Sequence, residues 1–367
     1  MRLISINVVK AGMIVGRTIW NEAGHPLLQK GVVLTDHILF RLKQLHIKYV
    51  YIEDKISYGV EIEETVQPEI RNKVVNKIAK SFHSVKEVKS GQASFILEQQ
   101  SKEIGAIVED LLNTILDSEE ILTVLTDAYL YDEYLYQHSF QVTLYSLAIA
   151  KEMGYSSEDL RLIGIGALLH DVGKLLIPTE ILLKPERLTN EEYEIMKQHT
   201  RYGFDLLRNL HSVSLLVAHC AFQHHERIDG SGYPRGLVDF EIHPFAKIIG
   251  VADVFDAVTS NRVYREKLLP SQGMDIIEAG SGTIFSPRVV EALSKSVVHY
   301  ANGTVIRLSD GRRGVVSKQH MKHPNRPYLR IFEEDDKILD ATYEISLVDS
   351  PNLLIDKVEL EYVVPVE

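Results

Sequence analysis

Apolar and polar positions alternate along residues 1–54, where ISINV, MIVGRTIW and PLLQKGVVL read as short strands around a polar turn with Gly24. Within the same stretch TDHILFRLKQLHI changes to helical spacing, with a start capped near Thr35, and KYVYI returns to strand. Residues 1–60 therefore predict a small α+β module. Residues 61–100 are charged and weakly periodic, punctuated by Pro68 and Gly91, and IRNKVVNKIAKSF predicts a partly exposed helical connector. From 101 to 298 apolar residues recur every three or four positions in IGAIVEDLLNTIL, FQVTLYSLAIAKEM, DLRLIGIGALL and VSLLVAHCAF. Ser156 with Asp159, and Thr189 with Glu192, are capping-box pairs that mark two helix starts. This block has the size of one all-α domain. After Tyr300 the period changes again: GTVIRLSD, RGVVSK and YLRIFEE are strands, Gly311 marks a turn, and 299–367 predicts a small β-barrel. The expected fold is multidomain, with a central helical bundle between a small α+β module and a small all-β module.

Composition narrows the setting. At 45% hydrophobic and 25% charged residues the chain is that of a globular protein, and 367 residues exceed one ordinary domain. No apolar run reaches the roughly 18–20 residues that span a bilayer, and MRLISINVVKAGMIVGRTIW lacks the pattern of a signal peptide. One cysteine, Cys220, excludes an intramolecular disulfide and fits a reducing cytoplasm. A net charge of −11 argues against nonspecific DNA or RNA binding. A small anionic ligand stays open, because local charge can oppose the total.

Candidate chemistry sits in the helical block. Of fifteen histidines, seven fall between 138 and 225. His138 (YQHSF), His170 and Asp171 (LLHDVGK), His199 (MKQHT), His224 and His225 (HHERIDGSGYP) and Asp253 (GVADVFD) lie near the ends of different helical patterns. A bundle can converge such positions on one point. Imidazole and carboxylate together suit Fe, Mn, Zn or Co, and the lack of thiolates argues against a structural zinc site. Singly, each has an ordinary reading: His199 as a surface or satisfied core residue, Asp171 as a helix cap, Lys174 as a solvated lysine. In order and with helical spacing between them, the set points to metal chemistry.

LLHDVGKLLIP, HHERIDGSGYP and VADVFDAVTSNRVYR together resemble the HD-GYP family of bacterial phosphodiesterases, over roughly 105–298. The segment VKAGMIVGRTI…GHPLLQKGVVLT also resembles a module found ahead of such domains. The resemblance implies an HD-type helical bundle that hydrolyses cyclic di-GMP to the linear dinucleotide or GMP, through a hydroxide bridging the metals. Carried over by position, Asp171 bridges two metals, His138, His170 and Asp253 complete one site, and His199, His224 and His225 complete the other. Three-metal members place a glutamate four residues before the first histidine; Tyr134 occupies that position here and Glu133 is one residue out of register, so two metals are expected. Fe or Mn leads, with Zn, Co or Ni as alternatives.

Lys174 lies three residues after Asp171, on the same helical face, where an ammonium can meet the scissile phosphate. Arg262 and Arg265 share a face if helical, and in similar proteins such residues hold phosphate or guanine. Asp256 and Thr259 read as structural. In the HHERIDGSGYP loop, Glu226 and Asp229 are candidates for hydrogen bonds that orient the imidazoles. Gly230 and Gly232 allow the turn, Pro234 stiffens its exit, and Tyr233 packs the loop or reaches the substrate. His224 and His225 would lie about 100° apart on a continuing helix, so the helix is expected to end or distort there to aim both.

Two other readings remain. An HD-superfamily hydrolase acting on another nucleotide shares the metal chemistry but lacks the HHE-x-x-DGxGYP stretch, and a further cyclic dinucleotide such as cyclic GMP-AMP is open. A non-enzymatic sensor of cyclic dinucleotides is the third class, which the complete two-metal set disfavours. The terminal modules contain no convergent titratable residues, leaving regulation, protein partners or a homodimer open.

Overall fold

The computed structural model describes residues 1–20, 25–45, 47–62, 66, 68–86, 90–117, 134–260 and 268–363, side chains excepted at 68–69, 86, 90–91, 117 and 134. The described chain falls into two compact units, one built from both chain ends and one from its middle.

In the first unit, β1 (Arg2–Ser5), β2 (Ile14–Val15), β3 (Ile19–Trp20), β4 (Pro26–Leu28), α1 (Asp36–Gln44) and β5 (Tyr49–Glu53) follow the expected order. β1, β5 and β2 form an antiparallel sheet with β5 in the middle, and β3 and β4 pair as a hairpin. Thr35 caps α1 by accepting from Ile38 N, and α1 buries Leu39 and Leu42 in the same cluster as Ile4, Val50 and Ile52 of the sheet. The C-terminal segment adds β6 (Val305–Leu308), β7 (Arg313–Lys318), β8 (Tyr328–Glu334), β9 (Lys337–Ser346) and β10 (Ile355–Val358). Instead of a barrel they form one open antiparallel sheet in the order β10-β6-β7-β8-β9. β9 was not visible in the pattern because it is a largely exposed edge strand without a buried face.

Long-range bonds hold the two ends together. Leu3 N donates to Gly303 O at 2.9 Å and Ser5 N to Leu360 O at 2.7 Å. The buried Arg2 guanidinium donates from Nε to Asp54 Oδ2 at 2.5 Å and from Nη1 to Tyr362 O at 2.8 Å.

The second unit is helical: α2 (Pro68–Lys86), α3 (Ser90–Asp117), α4 (Tyr134–Glu152), α5 (Ser157–Leu169), α6 (Thr179–Leu182), α7 (Asn190–Lys197), α8 (His199–Leu207), α9 (Leu215–Gln223), α10 (Pro244–Thr259), α11 (Pro270–Ala279) and α12 (Pro287–Ser296). A 3-10 turn, Val172–Leu176, follows α5. α2, read from sequence as a partly exposed connector, buries Val74, Val75, Ile78, Phe82 and Val85 and packs on α3 and α4. α4 and α10 are buried on nearly all sides because they run through the middle of the unit; Phe140, Leu147, Ile248 and Phe255 have no exposure. Thr189 and Glu192 form a complete capping box on α7, with Thr189 N donating to Glu192 Oε2 at 2.8 Å. Ser156 Oγ accepts from Asp159 N at 3.2 Å and donates to Asp159 Oδ2 at 2.8 Å, so the Asp159 carboxylate takes the Ser156 hydroxyl rather than its backbone N–H. Among the described residues no helix is long and apolar enough to cross a membrane.

Phe140 is fully buried two residues beyond His138. Phe140→Ala is expected to destabilise the helical unit by about 3–5 kcal/mol, read as a lower denaturation midpoint by far-ultraviolet circular dichroism. An unchanged midpoint would place Phe140 outside the stabilising core.

Candidate metal centre

The seven candidate ligands lie at helix ends and in two central helices. His170 and His224 are the C-terminal caps of α5 and α9, followed directly by Asp171 and His225; His199 opens α8. α9 thus ends where two adjacent imidazoles must both be aimed, as its sequence required. His138 and Asp253 project from α4 and α10.

Carbonyls near helix ends lack intrahelical partners, and three imidazoles use them. Nδ1 of His170 donates to Ala167 O at 2.7 Å, Nδ1 of His199 to Met196 O at 2.6 Å, and Nδ1 of His224 to Ala221 O at 3.0 Å. A carbonyl can only accept, so Nδ1 carries the proton and Nε2 keeps its lone pair for the centre. His138 is held by a carboxylate, with Nδ1 2.7 Å from Asp256 Oδ2.

Asp171, almost fully buried, stands between the imidazoles. Its Oδ1 lies 3.3 Å from His199 Nε2 and 3.8 Å from His224 Nε2. Its Oδ2 lies 3.3 Å from His170 Nε2, 3.5 Å from His138 Nε2 and 2.5 Å from Lys174 Nζ. The two oxygens thus face two different histidine groups. Asp253 joins both: Oδ1 is 3.1 Å from His138 Nε2 and Oδ2 is 3.8 Å from His225 Nδ1. Donor atoms of Asp171, His199, His224 and His225 lie within 4.8 Å of one another, as do those of His138, His170 and Asp171.

Electrostatics put most of these groups in their ligating forms. Burial lowers the His199 pKa to about 4, and burial with neighbouring positive charge holds His224 and His225 well below the usual imidazole range. Burial opposes ionisation of Asp171 and Asp253, but Lys174 and His170 around the first, and His138 and His225 around the second, hold both carboxyls well below the usual range. His138 differs. Burial disfavours its charged form, yet Asp253 and Asp256 outweigh burial and raise its pKa to about 9. A proton there occupies a point where carboxylates converge, the environment that a divalent cation requires. His170 Nε2 and Asp171 Oδ1 are buried with no hydrogen-bond partner among the described residues. Neutral imidazoles, ionised carboxylates and buried unsatisfied donor atoms fit divalent metal ions.

Two close approaches make the convergence possible. A Cβ on Gly173 would lie 1.9 Å from His199 O, so only glycine lets the turn after Asp171 rest on the start of α8. A Cβ on Gly250 would lie 2.5 Å from His224 O, so α10 reaches the end of α9 one turn before Asp253.

The loop residues hold one another instead of the imidazoles. Both Glu226 oxygens accept backbone N–H groups, from Arg235 at 2.8 Å and Leu237 at 2.9 Å. Asp229 accepts from Ser231 N at 2.9 Å and Ser231 Oγ at 2.6 Å. Among the described residues neither bonds directly to an imidazole, contrary to the expectation from their closeness in sequence. Asp256 does so instead, and also accepts from Ser260 Oγ at 2.7 Å. Its spacing of three from Asp253 was the available signal, since it places both carboxylates on one face of α10. Thr259 donates to Phe255 O at 2.7 Å, a structural role as expected. Gly230 has φ +82°, and the Tyr233 ring stacks on His225. Arg262, Arg265 and Glu133 lie outside the described residues, and Tyr134 is the first residue of α4.

The HD domain family profile matches residues 124–289, the stretch that carries all seven candidate ligands. The chain is 29% identical over 360 residues to a cyclic di-GMP phosphodiesterase of Pseudomonas aeruginosa, covering 90% of this chain and 85% of that protein. It is 43% identical over 227 residues to a cyclic di-GMP phosphodiesterase of Thermotoga maritima, covering 62% and 59%. The chain is therefore similar to cyclic di-GMP phosphodiesterases and carries an HD domain match over its helical unit. A further relative in Vibrio cholerae, 3′3′-cGAMP-specific phosphodiesterase 3, is 36% identical over 160 residues, covering 44% of this chain and 35% of that protein. The chain thus spans most of the Pseudomonas relative but less than two thirds of the other two. Of the motifs read from the sequence, the HD dipeptide supplies His170 and Asp171, whose oxygens face different histidines, and the GYP loop supplies the ring stacked on His225.

Removing the Asp256 carboxylate takes away the acceptor that holds Nδ1 of His138. Asp256→Ala is expected to weaken divalent-metal binding by about 10–100-fold, whereas Asp256→Asn, which keeps an acceptor oxygen, retains most of it. Isothermal titration with Mn(II) checks this, and equal affinity in wild type and Asp256→Ala would remove Asp256 from the centre.

Proposed function

We propose that this protein is a metal-dependent phosphodiesterase that hydrolyses cyclic di-GMP to the linear dinucleotide or GMP at a two-ion centre, with Fe or Mn as the ions. The observation that carries the reading is Asp171, whose two oxygens face separate histidine groups. In this assignment His138, His170 and Asp253 serve one ion, His199, His224 and His225 the other, and Asp171 both. Two bound divalent ions would supply an activated water at neutral pH and neutralise phosphate oxygens.

The protein's own residues do the rest. Asp171 fixes the separation of the two donor groups. Lys174 reaches from the buried Asp171 carboxylate to a position where its side chain is one-fifth exposed, so its ammonium can meet an incoming phosphate and stabilise charge on the departing oxygen. This local cation answers the overall charge of −11, which by itself repels an anionic dinucleotide. Arg262 and Arg265 are assigned to phosphate or guanine contact, because guanidinium forks bind phosphate oxygens and the O6/N7 edge of guanine in pairs. The similarity to a 3′3′-cGAMP-specific enzyme supports a second reading, in which a mixed purine cyclic dinucleotide is preferred.

Metal-reconstituted protein incubated with cyclic di-GMP and 3′3′-cGAMP, with products separated by chromatography, tests both. Hydrolysis of cyclic di-GMP is expected to be faster; a preference for 3′3′-cGAMP moves the assignment to the second reading, and binding without hydrolysis makes the protein a sensor. Asp171→Ala should abolish metal uptake and turnover together, and full activity in that variant would end the metal mechanism. Lys174→Met should keep its metal and lose about 10²-fold in turnover; wild-type turnover would return Lys174 to a surface role.

A further inference from the structure

Four of the five candidate histidines have Nδ1 held, three by backbone carbonyls and one by Asp256. His225 is the exception. Among the described residues no hydrogen bond holds its ring, and its nearest charged neighbour is Asp253, 3.8 Å from Nδ1. The ring is instead covered by Tyr233, with centroids 4.6 Å apart and planes inclined by 24°. Tyr233 N also donates to His225 O at 3.2 Å, so the loop closes back on the residue it covers.

The loop is built to hold this closure. Buried Glu226, next to His225, takes the N–H groups of Arg235 and Leu237 on its two oxygens and so ties the exit of the loop to its entry. A Cβ on Gly232 would come within 2.5 Å of Glu226 Cα and His225 O, so this crossing excludes any side chain. Tyr233 also meets Tyr193 at a steep angle, with centroids 6.3 Å apart, and Lys197 Nζ lies 5.8 Å from its ring centroid.

We infer that Tyr233 is a positioning residue for His225, its ring stack replacing the hydrogen bond that fixes the other histidines, and that Glu226 holds it there. This assignment rests on the reading of the cluster as a metal centre. It gives the aromatic ring of the GYP loop, rather than its hydroxyl, the task of setting one ligand's orientation.

The test uses full-length protein freed of metal by chelation and titrated with Co(II), followed by visible d–d absorption and by the number of ions retained after desalting. Wild type and Tyr233→Phe are expected to bind alike. Tyr233→Leu should weaken the ion on the His225 side by about tenfold, with an altered d–d spectrum, while the other ion and the thermal midpoint of the metal-free protein are unchanged. Glu226→Gln replaces one acceptor oxygen with an amide facing an N–H, and should weaken the same ion without touching the ring. Unchanged Co(II) binding in both Tyr233→Leu and Glu226→Gln overturns the inference, as does a loss in Tyr233→Phe equal to that in Tyr233→Leu. A wild-type protein that takes up no Co(II) defeats the metal-centre reading itself, an outcome distinct from the other two.

Discussion

The arrangement depends on a single buried carboxylate. A charged Asp171 sealed from water is costly unless positive charge or hydrogen-bond donors surround it. The helical unit places the Lys174 ammonium on it and four imidazoles around it, and Asp253 is a second carboxylate that reaches both histidine clusters. Because its two oxygens point to different clusters, displacement of this side chain disturbs both at once. Burial keeps His199 and His224 neutral, and neutrality leaves them able to bind a cation that the carboxylate attracts. Ligand protonation and carboxylate burial are therefore two aspects of one constraint.

The scaffold meets that constraint with ordinary helix-end chemistry. Carbonyls near the ends of helices need donors, and histidines placed there supply Nδ1–H while turning Nε2 inward. Convergence then requires backbones to approach more closely than side chains permit, which Gly173 and Gly250 allow. The glycine of the HDVGK segment therefore belongs to the geometry of the site as much as the histidine and aspartate before it. The His138–Asp256 pair and the His225–Tyr233 stack each hold the ring of one candidate histidine.

The convergence of the seven candidate residues was legible in the sequence because five of them sit at recognisable breaks in helical period, while His138 and Asp253 lie within α4 and α10 and were read from their order along the chain. What escaped notice involved partners distant in sequence or hidden by a familiar local pattern. Glu226 and Asp229 adjoin the histidines in sequence, but their oxygens are taken by loop N–H groups and never reach an imidazole. Asp256 looked structural because its partner, His138, lies 118 residues away. The terminal segments read as separate modules because nothing local reveals that Ser5 bonds to Leu360 or Arg2 to Tyr362. β9 carries no buried face, so its residues lack the alternation by which strands are read.

The central claim is that one carboxylate joins two metal sites. Mn(II)-loaded protein examined by electron paramagnetic resonance, with ions counted by mass spectrometry, tests it most directly. The account predicts two ions per chain with a spectrum of exchange-coupled Mn(II), and loss of both ions and the coupling in Asp171→Asn. One ion per chain, or two uncoupled ions of which one survives in Asp171→Asn, would contradict it.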